Sequence, residues 1–202
     1  MLLGCAVAAC GGAARSATGN SVALSPAAQA RADSGRAKFT AADVHFMSGM
    51  IGHHAQAVLM AGWAPSHGAS PSLRALCERI VVGQRDEIAF MQRWLRERHL
   101  EVPDGDPTHA RMPGMEHPMM PGMLTPEQLD QLDAARGSQF DRLFLTFMIQ
   151  HHQGAITMVE TLMGSPGAAQ DEYVFKFAAD VNADQTTEID RMNLMLQDIP
   201  KP

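Results

Sequence analysis

Apolar residues return every three to four positions over four stretches of this chain, the spacing of amphipathic helices. Placed at about 100° per residue, the stretch over roughly 40–62 gathers Phe46, Met47, Met50, Ile51, His54, Ala57, Val58 and Ala61 into one stripe. His54 falls near the centre of that stripe, His53 at its edge beside Met60, and His45 on the opposite side. The stretch over roughly 137–163 repeats the arrangement, with His152 central and His151 at the edge beside Met158. A third, roughly 71–98, puts Leu73, Cys77, Ile80, Gln84, Glu87, Ile88, Met91 and Leu95 on one face. The fourth, roughly 168–198, does the same with Val174, Val181, Gln185, Glu188, Ile189, Met192 and Leu196. Breakers divide the stretches into two hairpins: Pro65 to Pro71 in the first, Gly164-Ser165-Pro166-Gly167 in the second. Thr125-Pro126-Glu127-Gln128 predicts one further short helix, with Thr as N-cap and Pro at the first position. The pattern predicts an all-α four-helix bundle.

The two hairpins also carry the same residues. Asp43, Phe46, Met50, Ile51, His53, His54, Ala57 and Met60 recur 98 positions later as Asp141, Phe144, Met148, Ile149, His151, His152, Ala155 and Met158. Gln84, Glu87, Ile88 and Met91 return at an offset of 101 as Gln185, Glu188, Ile189 and Met192. The bundle is therefore expected to be a duplicated helical hairpin. Its first copy spans about 39–98 and its second about 125–198, inside a domain of about 38–202. Between the copies, residues 99–124 hold five Pro and no helical period. Met112, Met115, His117, Met119, Met120 and Met123 crowd into this connector. Two expectations stand side by side for it: a strap that packs Met onto the bundle, or an array of thioether ligands.

Composition narrows the function. The net charge of −6 has no basic stripe, which argues against nucleic acid as a partner. Fifteen methionines are more than a core needs as gap-filler. At the N-terminus, Val7-Ala8-Ala9-Cys10 resembles the lipobox of a bacterial lipoprotein, although no Lys or Arg precedes the apolar run. We therefore expect residues 1–10 to be a signal segment, Cys10 the lipidated residue, and 11–37 an Ala/Gly/Ser-rich tether. The protein would be exported to the periplasm or the outer face of a membrane, and held there by lipid alone. With Cys10 lipidated and Cys5 removed, Cys77 cannot form an internal disulfide and is expected to be a small buried hydrophobe.

Thioether sulfur is a soft donor that selects Cu(I) or Ag(I), and imidazole suits copper in either oxidation state. Met50 can share a helix face with His53 or His54, and Met148 with His151 or His152, because residues three or four apart are neighbours. Met47, Met91 and Met192 are candidate additions. Gln84, Glu87, Gln185 and Glu188 would support the histidines from the facing helices. A polar layer with no metal is the rival expectation, in which His54–Glu87 and His152–Glu188 satisfy each other. A di-iron centre would want Glu-x-x-His, and no Glu here has His three residues later. Zinc lacks a Cys pair or His-Glu-x-x-His, and hydrolysis lacks a Gly-x-Ser-x-Gly elbow, so no enzyme is expected.

Three motifs carry a family resemblance. They are Phe-Met-x-x-Met-Ile-x-His-His in the first copy, Met-Pro-Gly-Met followed by Phe-Asp-Arg-Leu-Phe-Leu-x-x-Met-Ile-x-His-His in the second, and Gln-x-x-Glu-Ile-x-x-Met in both. Together they resemble the CopM-like family over about residues 39–198. The resemblance implies a ferritin-like four-helix bundle, export, and copper binding and resistance for the members given a role. The expectation is thus an exported protein that buffers Cu(I) or passes it to another copper protein. The alternative is an exported helical scaffold whose His/Glu/Gln layer is structural.

Overall fold

In the computed structural model, residues 39–106 and 119–199 are described, and they form five helices and no strand. These are α1 (Ala41–Gly62), α2 (Pro71–Glu97), α3 (Pro126–Ala134), α4 (Gly137–Gly164) and α5 (Glu172–Asp198). The four long helices are two antiparallel hairpins, α1 with α2 and α4 with α5. The hairpins meet mainly through α1 and α4, and α3 rests on α4. No described helix is long and apolar enough to cross a membrane.

Helix starts follow local chemistry. Thr40 and Asp43 form a capping box at α1, each satisfying the other's backbone. Ser70 caps α2 ahead of Pro71, and Thr125 with Gln128 boxes α3 ahead of Pro126. The fourth amphipathic stretch begins later than its periodicity predicts, at Glu172, because Asp171 takes the N–H groups of Tyr173 and Val174 as cap. Arg98 holds that carboxylate at 2.6 Å, and Trp94 Nε1 donates to it, so the end of α2 is pinned to the start of α5. The two echoed aspartates do matching work across the hairpins. Asp43 accepts from Ala169 N in the α4–α5 loop at 2.7 Å, and Asp141 accepts from Ser70 N in the α1–α2 loop at 3.2 Å.

The core is two apolar clusters with a polar layer between them. One holds Phe46, Met50, Met91, Trp94, Met158 and Phe177; the other holds Leu76, Ile80, Phe140, Phe144, Met148 and Met192. Along every long helix the chain passes from one cluster to the other through a polar pair. Those pairs are His53 and His54, Gln84 and Glu87, His151 and His152, and Gln185 and Glu188. Cys77 is buried in the second cluster. Burial first, then the nearby Asp141, pushes its thiol up to about 12, which leaves it a packing group at neutral pH.

Candidate metal site

The polar layer is built around the α1–α4 seam. None of its four histidines has exposed surface. Their rings run in a row, His54, His53, His151, His152, with centroids 6.3 Å apart within each pair and 3.8 Å apart across the seam. Helical spacing places His53 and His151 at the edges of their stripes. The structure corrects this by making them the centre of the layer, because α1 and α4 lean on each other and each covers the other's edge.

Carboxylates close the two ends of the row. His152 Nε2 donates to Glu188 Oε2 at 2.6 Å. Glu87 Oε2 lies 2.7 Å from His54 Nε2, but off the line along which that nitrogen would donate. Both Glu side chains remain about a quarter exposed, at 23% and 25%, so each touches water on one side and a buried ring on the other. Gln84 and Gln185 are buried beside them, and neither Oε1 has a partner.

A strap of backbone, residues 119–124, closes the α1–α4 side. His53 Nε2 donates to the Pro121 carbonyl at 3.0 Å, which fixes the proton on Nε2 and leaves a lone pair on Nδ1. The Gln56 amide clasps Leu124, donating to its carbonyl at 3.0 Å and accepting from its N–H at 2.8 Å. Gln150 donates to the Gly122 carbonyl at 3.3 Å. Gly154 has to be glycine here: a Cβ would run into the Pro121 carbonyl. Gly122 turns the strap at φ +78.

The resulting electrostatics keep the inner rings neutral. Burial, and then the neighbouring His54, hold His53 down at about 3 against the pull of the Pro121 bond. His151 lies well below its ordinary range through burial and then His53 and His152. The His53 main chain near His151 opposes that drop but makes no well-aligned bond to the ring. Five ring nitrogens are consequently buried with no hydrogen-bond partner and no close carboxylate: Nδ1 of His53, His54 and His152, and both nitrogens of His151. A buried polar atom left unpaired costs on the order of 1–3 kcal/mol, so this is a concentrated destabilisation at mid-bundle.

The candidate thioethers divide between the clusters. Met47, Met50 and Met91 lie in one and Met148 and Met192 in the other, all fully buried. Met50 and Met148 sit one turn before their His-His pairs. In the connector, Met119 is exposed, Met120 packs its Cε against Gly49, and Met123 is half-buried. Met112, Met115, His117 and Cys10 lie outside the described residues. Among the described residues, no three His, Cys, Asp or Glu side chains converge as a ready chelate. Sequence reasoning passed over Gln56, Gly154 and Pro121. The available signal was a Gly in the interior of α4; Gln56 falls on the same side of α1 as His45, away from the apolar stripe, and is buried there against Leu124 of the strap.

The class these features define is an all-α bundle of two hairpins joined across a buried histidine row. Within that class the chain belongs to the CopM-like family described as Domain of unknown function (DUF305), whose model matches residues 43–196. A candidate secreted protein of that family from Streptomyces coelicolor has a similar structure, with TM-score 0.66 and 26% identity over 80% of this chain and 94% of that one. CopM in its Cu(I)-bound form is similar at TM-score 0.59 and 28% identity, covering 77% of this chain and 95% of that one. CopM has also been solved in Cu(II)-bound and Ag-bound forms. An uncharacterised protein, L153, of Acanthamoeba polyphaga mimivirus is 34% identical over 59 residues, 29% of this chain. That match spans 39% of the mimivirus protein's length.

Proposed function

We propose that this chain binds Cu(I) at the histidine layer and buffers it or hands it on outside the cytoplasm, without catalysing a reaction. The carrying observation is the set of five orphaned imidazole nitrogens in a fully buried row. Native cores rarely leave buried polar atoms unpaired; one nitrogen of the neutral His151 ring necessarily carries a proton, and a soft cation is a guest that can engage lone pairs among the other four. The donor chemistry fits: imidazoles with thioethers one turn away suit Cu(I) better than hard divalent ions. At neutral pH His53 and His151 already present lone pairs, so no proton need leave them for the ion to enter. Glu188 on His152, and Glu87 beside His54, have the form of carboxylates that orient a metal-binding imidazole and raise its basicity. His53, His54, His151 and His152, with Met50 and Met148, would hold the ion; Met47, Met91 and Met192 border the same core.

The family lends support, since CopM has been solved with Cu(I), Cu(II) and Ag bound. The similarity to a candidate secreted protein supports export. A lipid anchor at Cys10 rests on the lipobox-like Val7-Ala8-Ala9-Cys10 alone.

The His152–Glu188 hydrogen bond favours one rival, a structural layer with no guest. Chelator competition on residues 38–202 separates the two. We expect Cu(I) and Ag(I) to be held more tightly than micromolar and well ahead of Zn(II) and Fe(II). No Cu(I) affinity, or a preference for Fe(II), leaves the structural layer standing.

A further inference from the structure

The histidine row is closed on most sides. The two apolar clusters cover it along the bundle axis, and the strap covers it on the α1–α4 side. On the opposite side the hairpins do not pack closely: α2 and α5 flank an open groove of about 390 Å³. Glu87 and Glu188 line this groove, and behind them lie His54 and His152, which are wholly buried. On this side two carboxylates that reach the buried rings also touch water.

We propose that the groove between α2 and α5 is the port through which Cu(I) enters and leaves the histidine layer, Glu87 and Glu188 passing it between water and His54 and His152. The inference rests on the copper reading above and adds the route. Two features of the groove bear on a cation. The first is a local cluster of carboxylates: Asp184 stands with Glu87 and Glu188, and its own carboxyl is held above the ordinary range by partial burial and then by those two neighbours. Arg79 and Arg191 line the groove as well, so its charge is mixed overall, and the acidic contribution is that of these three carboxylates, two of which reach the buried rings. The second is the pair Gln84 and Gln185, which line the same groove and whose Oε1 atoms are buried with no partner. These unpaired acceptor oxygens, one from each flanking helix, are available to a cation moving inward from the groove.

The donor types also grade the path in the right order. Carboxylate and amide oxygens are hard donors that hold Cu(I) weakly, whereas imidazole and thioether hold it firmly. An ion therefore moves inward from labile to tight ligands, and a competing soft donor presented at the groove mouth draws it out by the same steps.

A plug tests this without touching a ligand. Gly83 lines the groove on the α2 wall, is exposed, and has open space where a side chain would go. Gly83→Phe fills the mouth from one wall, and Thr187→Phe fills it from the other. Val82→Phe, on the same helix but outside the groove lining, is the control. Loading is followed by anaerobic stopped-flow transfer of Cu(I) from its bathocuproine complex, and release by the reverse transfer to excess chelator. We expect both plugs to slow loading and release at least about tenfold in parallel, leaving equilibrium affinity unchanged, because a port sets rates and not the difference between end states. Val82→Phe should behave as wild type. Wild-type binding with wild-type rates in both plugged variants overturns the port alone. A wild-type chain that takes up no Cu(I) overturns the copper reading, and the port with it.

Discussion

Met50 and Met148 offer the sharpest test of the site, because replacing sulfur with carbon changes the chemistry and hardly changes the volume. Both are fully buried one turn before a His-His pair. The Met50→Leu/Met148→Leu double variant should lose at least about tenfold in Cu(I) affinity by chelator competition if the thioethers are ligands. Volume-conserving swaps cost less than about 1.5 kcal/mol each, so urea unfolding should show a folded domain. Unchanged affinity would move the site out of the bundle core and towards the connector methionines. The inner histidines make a second prediction at this scale. His53 is held at about 3 in the folded chain, against an ordinary 6.5 once unfolded. Between those values the unfolded state binds the extra proton, so stability is fully present above about pH 6.5 and falls as pH drops towards 3. Each such histidine contributes a slope of about 1.4 kcal/mol per pH unit. His151, also held low by burial, adds in the same direction. Urea midpoints of the metal-free domain should therefore fall steeply from pH 6.5 to 4.5, and His53→Gln should flatten part of that slope. A pH-independent midpoint across this range contradicts the neutral, buried state of these rings.

Among the elements, the strap is where the likeness of the two hairpins stops. The first His-His pair is framed as Gly52-His53-His54-Ala55-Gln56 and the second as Gln150-His151-His152-Gln153-Gly154, so Gly and Gln exchange places at matching stations. The exchange serves one crossing backbone. Gln56 and Gln150 bond the strap from two helices, and Gly154 lets it approach. It also makes the two inner histidines unequal: His53 is anchored to Pro121, while both nitrogens of His151 stay without a hydrogen bond. Gly154→Ala should push the strap off its seat, because the clash is with backbone, which gives less readily than a flexible side-chain end. The Leu124 N–H and the Gln56 amide would then lose each other as buried partners, at about 1–3 kcal/mol per unpaired group. Amide exchange at Leu124 should quicken and the urea midpoint should drop. A Gly154→Ala domain with wild-type protection at Leu124 would show that the strap tolerates the methyl group.

For the whole molecule, location decides what the proposed copper binding would be for. Residues 1–37 lie outside the described structure, so the anchor is carried by the lipobox-like run and the export reading by that run with a relative. Cys10→Ser should abolish fatty-acid labelling and release the protein from the membrane fraction, since stable attachment needs acyl chains. Absence of labelling in the native chain would remove the anchor from the proposal. The bundle carries its own supports independently of that segment. The Asp43–Ala169 and Asp141–Ser70 bonds tie each hairpin's loop to the other hairpin's helix, so neither hairpin stands as a separate unit.

Helix extents, the two hairpins, the short α3 and the His, Gln and Glu make-up of the layer were legible in the chain, because each depends on residues within a turn or two of one another. Periodicity set the faces, Thr40, Ser70 and Thr125 set three of the starts, and the repeated His-His and Gln-x-x-Glu supplied the donors. Even there, the start of α5 moved to Glu172, because Asp171 competes for the first backbone N–H groups. What only the tertiary structure decided is which ring is central, which nitrogen is free, and where water reaches the layer. His53 and His151 look like edge residues on their own helices and become the closest pair when α1 meets α4. A backbone carbonyl from Pro121, 68 residues away, selects the protonated nitrogen of His53. Main-chain atoms are common to all residues, so no side-chain pattern announces which carbonyl will arrive at a given ring. The groove likewise belongs to neither α2 nor α5, and exists because the hairpins close on their α1–α4 side.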